Sequence, residues 1–336
     1  MTQGLAGLVC LAALAVLAGA EPEAPSNGSD GLPLGIGDIA PAAPSGLFDT
    51  GAVPPEVVEV ARTTRDLPLG DRVAAVSTPF LRLPYLDGPT GEGRAPDPDP
   101  PARYDAFDCL TFVEEVLALA LAPDPAEAGT YRTALRFRNA QPDYQSRNHF
   151  FEWEWVPRNI ENGLLEDVTE ALGGAVVHEK DVSPSVWRRW RRRPLLALPD
   201  ERFPTGKFRL PVLPLEAALA AVLRIPPGAI VVTVRTPVAH LPVVVTHVSL
   251  TIPGQTPTMR HATRMSTHNV RDDSLVWYLE HLREYTRWPV AGIQVLLPRE
   301  QGPRVGALAP RPDLAPVPDA LPESGAPPEP GPAFSG

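Results

Sequence analysis

The sequence predicts an α+β domain in which N-terminal helices pack on a mainly antiparallel sheet. Three observations predict the α+β class. Apolar residues recur at three- and four-residue spacing through the first half of the chain. β-Branched runs fill the second half. Hairpin-like links join those runs, and helices followed by strands favour antiparallel pairing over a doubly wound sheet.

The elements follow in order. "PPEVVEVARTT" at 54–64 opens with prolines that suit a helix start, and "LGDRVAAVSTPFL" at 69–81 carries a second short apolar face. A third helix begins at Cys109: Leu110, Val113, Val116, Leu117, Ala120 and Leu121 recur on one side, while Glu114 and Glu115 fall on the other. That pattern predicts one buried face. Strands are expected at "GAIVVTVRT" (228–236), "VVVTHVSLTI" (243–252), "TMRHATR" (258–264) and "VAGIQVLL" (290–297).

The ends differ in kind from the middle. Of 336 residues 43 are proline, concentrated at the two ends and in short connectors. Residues 4–20 form an apolar run closing in Ala18-Gly19-Ala20, the small-x-small pattern of a signal-peptidase site, so residues 1–20 read as a signal peptide. A short membrane anchor is the alternative, because no Lys or Arg precedes the run. Cys10 lies inside it, after Gly7-Leu8-Val9, and lipidation is not expected. Residues 21–48 read as a Pro/Gly-rich linker, 49–300 as one domain, and 301–336 as a disordered, Pro-rich acidic tail. The domain's length of about 250 residues suffices for one substantial core. An exported, periplasmic or extracellular monomer is expected.

The net charge of −10 argues against nucleic acid as the main partner. The local exception is "WRRWRRRP" at 187–194, five arginines around two tryptophans. It is either a solvated basic turn or a weak contact for anionic envelope components.

Once the signal peptide is removed, Cys109 is the single cysteine, in a compartment where thiols usually pair. A packing role is one explanation and nucleophilic chemistry the other. Nucleophilic attack needs a thiolate, favoured by the positive end of a helix dipole and by an imidazole that takes the proton. Asp108 is a good N-cap, which puts Cys109 at the first helical position; the capping carboxylate partly opposes the dipole, so a base is required. His247 and His261 lie on successive strands. If Pro253-Gly254-Gln255 closes a three-residue loop, residue 252 faces 256 and His247 faces His261, side by side on one sheet face. That would give a base and its orienter. The same histidines with His268 or Cys109 would be a zinc site, although the spacing lacks the tight ligand pairs of familiar ones.

At this point the residues resemble a family. "FDCLTFVEEVLALAL", "YRTALRFRNAQPDYQSRNHFFEWEWVPRN" and "IPPGAIVVTVR…VVVTHVSLTI…RHATR" occur in the order of the N-acetylmuramoyl-L-alanine amidase-like family, a branch of the NlpC-type, papain-like cell-wall hydrolases. The similarity runs from about residue 50 to 298. It implies a nucleophilic cysteine at a helix start packed on a small antiparallel sheet, with Cys109 as nucleophile, His247 as base and His261 as orienter. It implies hydrolysis of the amide joining N-acetylmuramic acid to L-alanine in peptidoglycan or muropeptides, with no metal or organic cofactor. It assigns Tyr85 of "LPYLDG" to the oxyanion, beside the Cys109 N–H. In "SRNHFFEWEWVPRN", Arg147 is a candidate for a stem-peptide carboxylate, and His149 and Trp155 for lining the sugar or peptide site; bracing the fold is the other reading. Glu154 stands where Asp is expected, and Ser249 where glycine is common. Two rivals stay open: a stem-peptide endopeptidase of the same superfamily, and a non-catalytic envelope-binding module.

Overall fold

The computed structural model describes residues 51–300; the expected signal peptide, linker and C-terminal tail lie outside the described residues. Two helices come first, α1 (Pro55–Thr63) and α2 (Leu69–Ser77), followed by α3 (Cys109–Leu121) and α4 (Ala128–Arg136). Then come α5 (Val156–Glu161), β1 (Leu165–Asp167), β2 (Val176–Val182), α6 (Pro184–Arg189), β3 (Gly206–Pro214) and α7 (Leu215–Ala221). The chain ends in β4 (Ile230–Arg235), β5 (Val245–Ile252), β6 (Thr258–Thr263), β7 (Asn269–Ser274), α8 (Leu275–His281) and β8 (Val290–Pro298). The strands form one antiparallel sheet in the order β2-β3-β8-β4-β5-β6-β7, with β1 added on β8.

Both faces of the sheet are covered, which is why β4 is buried at every residue, Thr233 and Arg235 included. One face, through Val232, Val248, Leu250 and Ala262, joins the core built by α2, α3 and α4. The other, through Val231, Met259, Ile293 and Val295, packs under Ala218 and Ala221 of α7 and Leu275 and Leu279 of α8. Gly292 is required where β8 meets β3: a Cβ there would stand 2.1 Å from the Leu213 carbonyl oxygen.

The structure corrects three expectations. α3 is buried on every side, Glu114 and Glu115 included. Its acidic side is roofed by α4, where Arg136 Nε donates to Glu114 at 2.8 Å and Arg132 Nε to Glu115 at 2.5 Å. The charges are tolerated inside because each carboxylate meets a guanidinium. Second, the β5–β6 register is shifted by two residues from the expected one: Ile252 faces Thr258 and Leu250 faces Arg260. The link is therefore the five residues 253–257, which leaves Pro257, with no N–H to give, outside the ladder. His247 and His261 are consequently not directly opposite; they keep the same parity and lie diagonally. Third, β2, β3 and β7 join the sheet from segments richer in charge or proline than the strands expected from sequence.

Candidate active site

Asp108 sets the site's first wall. Its Oδ1 accepts from the N–H groups of Leu110 (3.0 Å) and Thr111 (2.8 Å), and the Thr111 hydroxyl bonds back to the Asp108 N–H at 3.0 Å, a reciprocal capping box. Oδ2 accepts from the Gly88 N–H at 3.0 Å, which ties the Tyr85 loop to the same helix tip. The carboxylate is thus used in positioning; burial pushes its pKa up to about 7. Cys109 follows at the first helical position, 2 % exposed. Burial, then the neighbouring Asp108 charge, pushes its thiol pKa up, while main-chain hydrogen bonds from Val248 and Leu110 pull the other way. The resting sulfur is a neutral thiol.

His247 sits beside a bulge. Thr233 faces His247 and Val234 faces Val245, so Thr246 is the extra residue, and the kink re-aims the strand next to the site. The entry to β5 is held by the π-helical turn at Phe151–Trp155: Glu152 accepts the Val244 N–H at 2.6 Å, and Trp153 donates to the Pro242 carbonyl at 3.4 Å. His247 Nε2 lies 2.8 Å from His261 Nδ1. His261 Nε2 in turn lies 2.9 Å from Asp273 Oδ2, and Arg271 Nε donates to Asp273 Oδ1 at 3.0 Å. His247 is kept neutral: burial, then His261 and Arg235, hold its pKa well below 6.5. Asp273 is held ionised by His261 and Arg271, which outweigh its burial.

Cys109 and His247 line one cavity, with Tyr85, Arg235, Thr246, Arg264 and Tyr278 among its other walls. Cys109 reaches it from the helical core, and His247 from the sheet face covered by α8. Both open onto the cavity where β5 and β6 have stopped pairing, beyond Leu250 and Arg260. Tyr85 is held by its own N–H on the His268 carbonyl (2.8 Å); its hydroxyl donates to Asp87 at 3.2 Å, and Arg264 lies over its ring at 5.2 Å. The Leu110, Thr111 and Phe112 N–H groups are all taken by Asp108, which leaves the Cys109 N–H outside that capping set.

Of the residues expected at the site, Cys109, His247 and Tyr85 share the cavity and His261 stands directly behind. Arg147, His149 and Trp155 are elsewhere, buried in bracing contacts. Arg147 pairs with Glu92 and, at 3.0 Å, with Asp97; His149 Nε2 meets the Tyr144 carbonyl at 2.7 Å; the Trp155 indole donates to Glu114 at 2.9 Å. The basic segment divides likewise: Trp187 and Trp190 are buried, while Arg188, Arg189 and Arg191 are exposed. Sequence reasoning missed Asp273, Arg235 and Tyr278. For Asp273 the available signal was the Arg271-x-Asp273 alternation, which points two charges to one side of a strand.

Comparison with known proteins agrees with this architecture. A Legionella pneumophila protein of known crystal structure is 23 % identical, with a TM-score of 0.64 over 72 % of this chain and 93 % of that one. An N-acetylmuramoyl-L-alanine amidase from Bacteroides uniformis is 20 % identical, with a TM-score of 0.54 over 69 % of this chain and 99 % of that one. These likenesses establish the fold. No curated protein matches the chain. The model of the AmiA-like family, described as N-acetylmuramoyl-L-alanine amidase-like, matches residues 75–285, which takes in Cys109, both histidines and the whole cavity; the chain belongs to this family of amidase-like cell-wall hydrolases.

Proposed function

We propose that the protein is an exported cysteine hydrolase that cleaves the amide between N-acetylmuramic acid and L-alanine in peptidoglycan or muropeptides. The observation that carries this reading is the single cavity lined by Cys109 and His247, with His261 bonded to the imidazole from behind. Family membership supplies the peptidoglycan-type substrate.

The chemistry follows from the resting charges. A buried neutral thiol that shares a cavity with a neutral imidazole loses its proton as it attacks, so no standing thiolate is needed. Sulfur adds to the lactyl carbonyl carbon, and the proton passes to His247. The Cys109 N–H and the Tyr85 hydroxyl, once it leaves Asp87, receive the oxyanion. The C–N bond then breaks as His247 returns the proton to the departing L-alanine amine. Water, deprotonated by His247, hydrolyses the thioester and frees the muramoyl acid and the thiol.

Digestion of purified muropeptides with mass analysis of the fragments tests the bond assignment. Release of an intact stem peptide beginning with L-Ala is expected. Cleavage within the stem would make the enzyme an endopeptidase, and binding without any fragment would make it a non-catalytic envelope-binding module.

A further inference from the structure

Two imidazoles in series pose a problem that one does not. Each neutral ring carries a single proton, and the pair has two self-consistent arrangements. In one, His247 donates from Nε2 to a bare His261 Nδ1, leaving His247 Nδ1 unprotonated. In the other, His261 donates from Nδ1, and His247 holds its proton on Nδ1. Since Nε2 is already engaged, Nδ1 is the nitrogen left to serve the thiol. Only the first arrangement gives a base.

We infer that Asp273 is the positioning residue that selects this arrangement, by fixing the tautomer of His261 and through it that of His247. The geometry runs in one direction. Arg271 has only N–H groups to offer, and they occupy Asp273 Oδ1, from Nε at 3.0 Å and also from a terminal nitrogen. The remaining oxygen, Oδ2, faces His261 Nε2 at 2.9 Å. A carboxylate can only accept there, so within a neutral pair the His261 proton sits on Nε2 and its Nδ1 is bare. That bare nitrogen, 2.8 Å away, accepts from His247 Nε2. His261 is fully buried, so no solvent offers a competing donor. The groups facing the chain are Arg235 and the Tyr278 ring at His247, the same ring at His261, and Arg271 at Asp273. Arg235 and Arg271 carry only N–H donors and cannot replace Asp273 as acceptor. The lock rests on the reading of His247 as the base, but it is a separate claim about where two protons sit.

Asp273→Asn tests it without changing shape. Arg271 remains a donor, so it holds the new amide oxygen at the Oδ1 position and turns the amide N–H₂ toward His261 Nε2. That nitrogen must then accept, the proton moves to His261 Nδ1, and His247 is driven to carry its own on Nδ1. Nitrogen-15 NMR of the histidine-labelled full-length chain reads this directly, with the His247 signals identified by their loss in His247→Gln. Wild type should show His247 protonated on Nε2, and Asp273→Asn on Nδ1. Hydrolysis by Asp273→Asn should fall at least about 100-fold in kcat with KM little changed, and Asp273→Glu should recover part of it. A wild-type His247 protonated on Nδ1, or Asp273→Asn turning over at the wild-type rate, would overturn the lock. If Asp273→Asn does not fold, the wild-type spectrum decides. Either overturning result in a wild type that still releases L-alanine stems leaves the proposed function standing, whereas full hydrolysis by Cys109→Ala removes the function and leaves the tautomers as measured.

Discussion

At the scale of single residues, the site is a set of groups held by specific partners. Asp108 is the most heavily used: it caps α3, anchors the Tyr85 loop and raises the thiol pKa by its charge. Asp108→Asn separates these roles. Removing the charge is expected to shift the pH dependence of Cys109 alkylation to lower pH, since the like-charge repulsion is lost. The amide must also set an N–H₂ against the Gly88 N–H, so stability should fall by about 1–3 kcal/mol in a denaturant titration. The lone cysteine, its cap and the two histidines were legible in the sequence because residue type and local context point to them. Asp273 was not, because its importance depends on its lying diagonally across the sheet from His261, a relation set by the β6–β7 register.

At the scale of elements, α3 shows why amphipathic patterning misled. Glu114 and Glu115 look like a solvent-facing side, yet their partners Arg136 and Arg132 arrive from the next helix and bury them. Nothing in the helix's own sequence reveals a partner some twenty residues away. The consequence is measurable: Arg136→Leu would leave the Glu114 carboxylate buried with one partner removed, an expected loss of about 3–5 kcal/mol in unfolding free energy. The β5–β6 hairpin teaches the complementary lesson. Side-chain parity survived a wrong register because the error was two residues, an even shift. The "SRNHFFEWEWVPRN" segment, expected to shape the cleft, instead reaches across to fasten the start of β5, two residues from Thr246 and three from His247.

For the molecule as a whole, helical core and sheet are two bodies of packing that meet at the cavity, one bringing a thiol and the other an imidazole. Helix-then-strand order made the α+β class readable, whereas the meeting point depends on the Thr246 bulge and on where β5 and β6 stop pairing. Burial governs the working pH. His247 faces His261 and Arg235, both of which add to burial in disfavouring its charged form, and Asp273 opposes them. A base whose pKa is lowered stays neutral further into acid, so the acid limb of kcat/KM is expected below pH 6.5. An acid limb above that value in a pH–rate profile would show His247 to be charged more readily than its surroundings allow. The central claim, a covalent step at one sulfur, is tested most directly by acid-quenching the enzyme during turnover of a muropeptide and weighing the intact protein and its peptides. The account predicts a muramoyl thioester on Cys109 and no hydrolysis by Cys109→Ala; an adduct on another residue, or undiminished hydrolysis by that variant, would contradict it.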